Sequence, residues 1–138
     1  MRNTNNEVKA VGIVLFFLLI AGCNSSEKLL CKTWKVIDVE FDEATVNISK
    51  KDKPLMVQQL RDSCLFIFYK DHTYFSKLPQ QTETGVWNFS KNRDTLYTQN
   101  NHTGAAAKIN VLSEIALDID AYVRDGTHMK FVLVPVQK

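Results

Sequence analysis

The chain has 138 residues, with 17 Lys and Arg against 15 Asp and Glu and a formal net charge of +2. So even a balance argues against a nucleic-acid binder, which needs a concentrated basic face. The densest basic stretch, Lys50-Lys51-Asp52-Lys53, reads as a solvated loop.

The N-terminus carries the first strong signal. Arg2 and Lys9 precede an apolar run from Ala10 to Gly22, 13 residues long, whereas crossing a bilayer takes about 20. A short run, basic residues in front and small residues before the break describe a cleaved export signal. Ile20-Ala21-Gly22-Cys23 resembles the lipobox of bacterial lipoproteins, in which the cysteine sulfur takes a diacylglyceryl group, the signal is cut and the new amine is acylated. The resemblance implies a signal peptide at 1–22, lipid attachment with palmitate-type chains at Cys23 and a membrane partner reached through the lipidated N-terminus. Two or three acyl chains make that anchor stable. Asn24 stands where some bacteria place the Asp that retains lipoproteins in the inner membrane, so the expected address is the outer membrane, with its face left open.

Removing residues 1–22 takes away Arg2, Lys9 and Glu7 and leaves 116 residues with 15 basic and 14 acidic side chains. That is one domain with a single modest core. Residues 23–30 form a lipidated tether, polar from Asn24, and 31–138 the folded domain. Cys31 and Cys64 remain, and an oxidising compartment permits a disulfide between them. Cys64 also continues the apolar stripe of Met56 and Leu60, which suits a buried thiol, so both readings stay open.

The mature chain is built mostly of short strands. Thr33 to Phe41 is the first, rich in Val, Ile and aromatics. Pro54 behind Asp52 starts the one helix expected in the domain, with Leu55, Met56, Val57 and Leu60 on its apolar face up to Arg61. Leu65 to Tyr69 and Thr73 to Lys77 follow, joined by Lys70-Asp71-His72. Gly85 to Ser90 and Asp94 to Thr98 form a hairpin around Lys91-Asn92-Arg93. Ala107 to Leu112 and Ile115 to Val123 turn on Ser113-Glu114, and Asp125-Gly126, a strong hairpin signal, leads into His128 to Val136. Eight strands and one early helix suggest an antiparallel meander.

Leu30-Cys31-Lys32-Thr33-Trp34-Lys35-Val36, Phe68-Tyr69-Lys70-Asp71-His72-Thr73-Tyr74, Gly85-Val86-Trp87 and the stretch from Ile109 to Leu117 resemble, in that order, the bacterial lipocalin-like domains. The resemblance implies a small eight-stranded up-and-down barrel over nearly all of 30–136. Two glycines of the pattern are Lys32 and His72 here, and His tolerates left-handed backbone better than most residues.

Strand alternation points the same way. Phe66 with Phe68, Trp87 with Phe89, Leu117 with Ile119, and Phe131 between Met129 and Leu133 each share a face that should turn inward as core. In the first strand Trp34 and Val36 favour one face, which would also aim Asp38 inward, and Ile37, Val39 and Phe41 the other. A bulge near Ile37 reconciles them. Eight strands enclose an interior that side chains can fill or that holds one small ligand.

No catalytic constellation is visible. Asp38, Glu40, Asp42 and Glu43 read as a solvated strand end, Asp71-His72 as a turn, and no hydrolase, metal-helix or phosphate-loop motif occurs. His72, His102 and His128 are scattered, so no metal or other cofactor is expected, and the protein is expected not to be an enzyme. Two functions remain. One is a module that binds a small apolar or amphipathic ligand at the barrel mouth, rimmed by Phe41, Leu78, Gln99, Asn101, His102 and Tyr122. The other is a filled barrel that docks onto another envelope protein or inhibits an exported enzyme. Strand parity assigns the connections at 42–64, 78–84, 99–106 and 124–127 to one end and the tight turns at 70–72, 91–93 and 113–114 to the other. The end with long connections is the expected mouth, facing away from the membrane.

Overall fold

The structure, a computed structural model, describes residues 25–42, 48–122 and 126–138. The expected signal peptide, Cys23, Glu43 and Asp125 lie outside the described residues. Eight strands run in chain order: β1 (Thr33–Phe41), β2 (Leu65–Phe68), β3 (Thr73–Lys77), β4 (Thr82–Phe89), β5 (Thr95–Gln99), β6 (Gly104–Leu112), β7 (Leu117–Tyr122) and β8 (His128–Pro135). Each pairs antiparallel with the next, and β1 pairs with β8 from Trp34↔Pro135 to Phe41↔Met129, which closes the barrel. Every strand thus has a neighbour on both sides, although β1 beyond Lys35 has no partner in β2. The register of β1 against β8 shifts between Val36 and Asp38. This bulge turns Ile37 outward and lets Trp34, Val36, Val39 and Phe41 all enter the core. A second register shift lies between Ile109 and Val111 in β6.

The core is aromatic. Trp34 and Trp87 have no exposed surface, and Val36, Phe68, Tyr74, Leu96, Leu117 and Leu133 are buried around them. Phe66, Phe89 and Phe131 pack against this cluster while partly exposed. Trp87 meets Phe68 and Phe89 edge-on at 6.2 and 5.5 Å, and Phe66 meets Phe131 at 6.5 Å, the geometry that ring quadrupoles favour. All the inward positions expected from alternation take part in this core.

Two expectations need correction. The segment taken as a polar tether is helical from 25 to 30, here α1. Leu30 is the reason: it is fully buried, its carbonyl accepts the Trp34 indole N–H at 2.9 Å, and the Cys31 N–H closes the turn on the Glu27 carbonyl. One buried leucine and two hydrogen bonds outweigh the polarity of its neighbours. Second, β4 begins at Thr82 and β6 at Gly104, inside segments expected as loops. Ladder pairing of Lys77↔Thr82 and Gln99↔Gly104 overrides the low strand preference of Gly and Ala. Apart from 42–64, therefore, the connections at the two ends are similarly tight. Of the two readings left open for the remaining cysteines, the structure has the free thiols, Cys31 and Cys64. Leu65 pairs with Lys35, so Cys64 and Cys31 stand five strand steps apart, roughly 16 Å at strand rise, far beyond disulfide reach.

The second helix, α2 (Lys53–Ser63), lies in the one long connection, with Pro54 in its first turn and Cys64 ending it in extended backbone. None of its residues is fully buried, yet Met56, Val57 and Leu60 pack against the core at the end where β1 finishes. The opposite end holds α1 and the three turns at 69–72, 90–94 and 113–116.

Candidate functional site

The concavity that best suits a ligand lies where α2 meets the β3–β4 turn. Leu78 and Pro79 leave β3, the Leu78 N–H is held by the Gln81 carbonyl at 2.8 Å, and the turn faces Met56 and Leu60 on the helix. Met56, Leu60, Leu78 and Pro79 form an apolar cleft edged by Gln59, Gln80 and Gln81, about 390 Å³ in volume. Ligand pockets run from about 300 to 1,000 Å³ and combine apolar walls with a few polar groups. No charged side chain lines this one.

The six residues expected to rim the mouth are not gathered there. Leu78 lines the cleft. Phe41 is buried at the end of β1 as part of the core. Gln99 and Tyr122 face outward, because Leu96 in β5 and Leu117 and Ile119 in β7 take the inward positions and parity sends Gln99 and Tyr122 to the opposite face. Gln99 lines an outer-wall concavity; Tyr122 is 69% exposed, with its ring 5.1 Å from that of His128. Asn101 and His102 are exposed in the β5–β6 turn, where Asn100 Oδ1 accepts the N–H groups of His102 and Thr103 at 2.8 Å. The apolar face of α2 was legible at Met56, Val57 and Leu60, although Leu55, expected with them, is exposed, and the partner of that face was not legible. Pairing it with Leu78-Pro79 requires the long-range path of the chain, and Gln59, Gln80 and Gln81 carry no local signal.

The end opposite α2, the closed end, which α1 covers, is built around His72. Its backbone is left-handed at φ 67°, its ring lies flat on Trp87 at 4.3 Å, its Nδ1 stands 2.9 Å from Asn88 Oδ1, and its Nε2 lies 3.4 Å from Glu27 Oε1 of α1. His72 thus links α1 to the barrel. Beside it, Asp71 Oδ1 accepts the N–H and hydroxyl of Thr73 at 3.0 and 2.6 Å, and these bonds hold its carboxyl below the usual range. Asp94, accepting from the Ser90 and Thr95 hydroxyls, is lowered in the same way. Burial raises the thiols of Cys64 and Cys31, with Glu27 adding to the latter.

The acids at the end of β1 disperse. Asp38 Oδ1 accepts its neighbour Val39 N–H, and Glu40 faces Lys130 at 3.9 Å. Among the described residues no three His, Cys, Asp or Glu side chains gather to hold a metal ion, and no helix is long and apolar enough to cross a membrane.

A closed, all-antiparallel, eight-stranded up-and-down barrel with one helix between its first two strands is the lipocalin-like architecture. The fold is similar to that of a DUF4847 family protein from Bacteroides vulgatus ATCC 8482, with a TM-score of 0.50 and 15% sequence identity over 77% of this chain and 94% of that one. At that identity the likeness shows the fold. No family model and no curated relative matches the chain.

Proposed function

We propose that the protein is a lipid-anchored module of the bacterial envelope, attached through Cys23 to the outer membrane, that binds a small apolar or amphipathic molecule without catalysis. The observation that carries this reading is the uncharged cleft between α2 and the β3–β4 turn, with apolar walls and a glutamine edge. An acyl or aromatic body suits the walls, and a polar end suits the amides. Among the described residues the groups with displaced pKa values sit in turns or in the core, and none lines the cleft. The anchor rests on the lipobox resemblance, and Cys23→Ser is expected to leave an uncut, unlipidated precursor.

One observation favours the second reading, a filled barrel that docks onto another envelope protein or inhibits an exported enzyme: both tryptophans are wholly buried within the interior. A hydrophobic dye distinguishes the two. The first reading expects dye bound to the protein to be displaced by lipid extract of its own membrane, and the binding to be lost in Leu78→Glu. Dye binding that Leu78→Glu leaves intact removes the cleft as the site, and absence of dye binding favours docking.

A further inference from the structure

The outer wall of the barrel carries a trough that the mouth-end cleft does not explain, and the geometry points to a binding site for a neutral saccharide across β5, β6 and β7. Strand β6 opens Gly104-Ala105-Ala106-Ala107. Ala107 packs against the core, so alternation turns Gly104 and Ala106 outward, and nothing larger than a methyl group rises from that stretch of wall. Tyr97 pairs with Ala106 from one side. On the other, the register that joins Ala107 to Ala121 and Lys108 to Asp120 brings Tyr122 opposite Ala106 one step further on. Two tyrosines, 50% and 69% exposed, thus stand on either side of one alanine, their backbones two strand spacings or about 10 Å apart. Concavities of about 480 and 390 Å³ meet at Ala106, each containing one of the tyrosines, and each falls within the usual size of a small-ligand site.

The next cross-strand row supplies polar groups. Thr95, Lys108, Asp120, Lys130 and Glu40 follow one another across five strands. The Asp120 carboxylate is held in place by Asn110 Nδ2 at 2.8 Å, with His128 Nε2 3.4 Å away, and it keeps lone pairs for hydroxyl donors. Two ammonium groups alternate with two carboxylates, so the row has donors and acceptors but no net attraction for an ion. An acyl chain laid here would strip water from these groups without replacing their hydrogen bonds. A pyranose has what the trough asks for: C–H faces for the two rings, hydroxyl edges for Thr95, Lys108 and Asp120, and no charge.

The test uses the full lipidated protein in a detergent without a sugar headgroup, with methyl-labelled alanine, titrated with maltohexaose, cellohexaose and chitohexaose. At least one is expected to shift the Ala106 methyl resonance. Tyr97→Ala and Tyr122→Ala should each weaken that binding about tenfold, equivalent to about 1.4 kcal/mol, and Ala106→Gln should abolish it by filling the floor. Thermal melting should be unchanged in all three, since the positions are on the outer wall. Tyr69→Ala, which removes an exposed tyrosine at the closed end, should bind as the parent does. The proposal is overturned if none of the three sugars binds at millimolar concentration, if binding survives Ala106→Gln, or if the site is occupied instead by a co-extracted envelope protein.

Discussion

Trp87 has no exposed surface, donates its indole N–H to the Tyr69 carbonyl at 3.1 Å and supports the His72 ring on its face. Trp87→Ala removes these contacts together and leaves a ring-sized hole, for an expected loss of about 3–5 kcal/mol, a large share of a small domain's stability. The denaturation midpoint measures it, and an unmoved midpoint would contradict the inward assignment. Alternation with Phe89 made the burial of Trp87 legible. Its stacking with His72 was not, because that contact joins the β2–β3 turn to a strand 15 residues further along the chain. The thiols follow the same logic. Each has a raised pKa from burial, and the thiolate is the reactive form. Cys64, at 3% exposure, should resist a maleimide until the protein unfolds, while Cys31 should label slowly in the native state; immediate labelling of both would show that β2 does not hold Cys64 as described. Spacing alone left bridge and thiol open, because the choice depends on the register of β1 against β2.

Two closed-end turns should make stability acid-sensitive. Asp71 and Asp94 have lowered pKa values because their charged forms accept hydrogen bonds from Thr73, and from Ser90, Thr95 and Asn92. A depressed folded-state pKa contributes stability that is present above the unfolded value and is lost as pH falls through the folded one. The melting temperature should therefore be insensitive to these groups near neutrality and decline below about pH 4, with a shallower decline in the double variant Asp71→Asn, Asp94→Asn. An identical acid profile in that variant would refute the assignment. Strands with apolar alternation were legible to within a residue or two, as was the bulge at Ile37, where two apolar faces conflicted. The first halves of β4 and β6 were not, since Thr82-Glu83-Thr84 and Gly104-Ala105-Ala106 have no inward apolar pattern and are strands only because neighbours pair with them. Gly85 shows the same dependence: a Cβ there would stand 2.1 Å from the Gln99 carbonyl oxygen, a constraint created by packing β4 on β5.

At the scale of the molecule, α1 changes how the proposed anchor holds the barrel. Extended, Asn24 to Leu30 would reach about 25 Å. As a helix from 25 to 30 it rises only about 1.5 Å per residue, and Leu30 and the Glu27–His72 pair fasten it to the closed end. The lipidated protein should thus sit close to the bilayer, with Asn92 nearer the headgroups than Asn101. Spin labels at the two positions report this through relaxation by a paramagnetic lipid, and stronger relaxation at Asn101 would reverse the orientation.

The pairing of β1 with β8 has a further consequence. Trp34 lies opposite Pro135, and the Val136 N–H donates to the Thr33 carbonyl at 2.8 Å, so the chain leaves the barrel beside the point where it entered. A circular permutant that joins Lys138 to Ser25 through a short flexible linker and reopens the backbone between Asn101 and His102 should keep both tryptophans buried, because the cut falls in an exposed turn and the new joint spans neighbouring strands. In the ordinary chain the same adjacency means that a reporter fused after Lys138 would stand at the end that carries α1 and the proposed anchor, leaving the α2 end unobstructed.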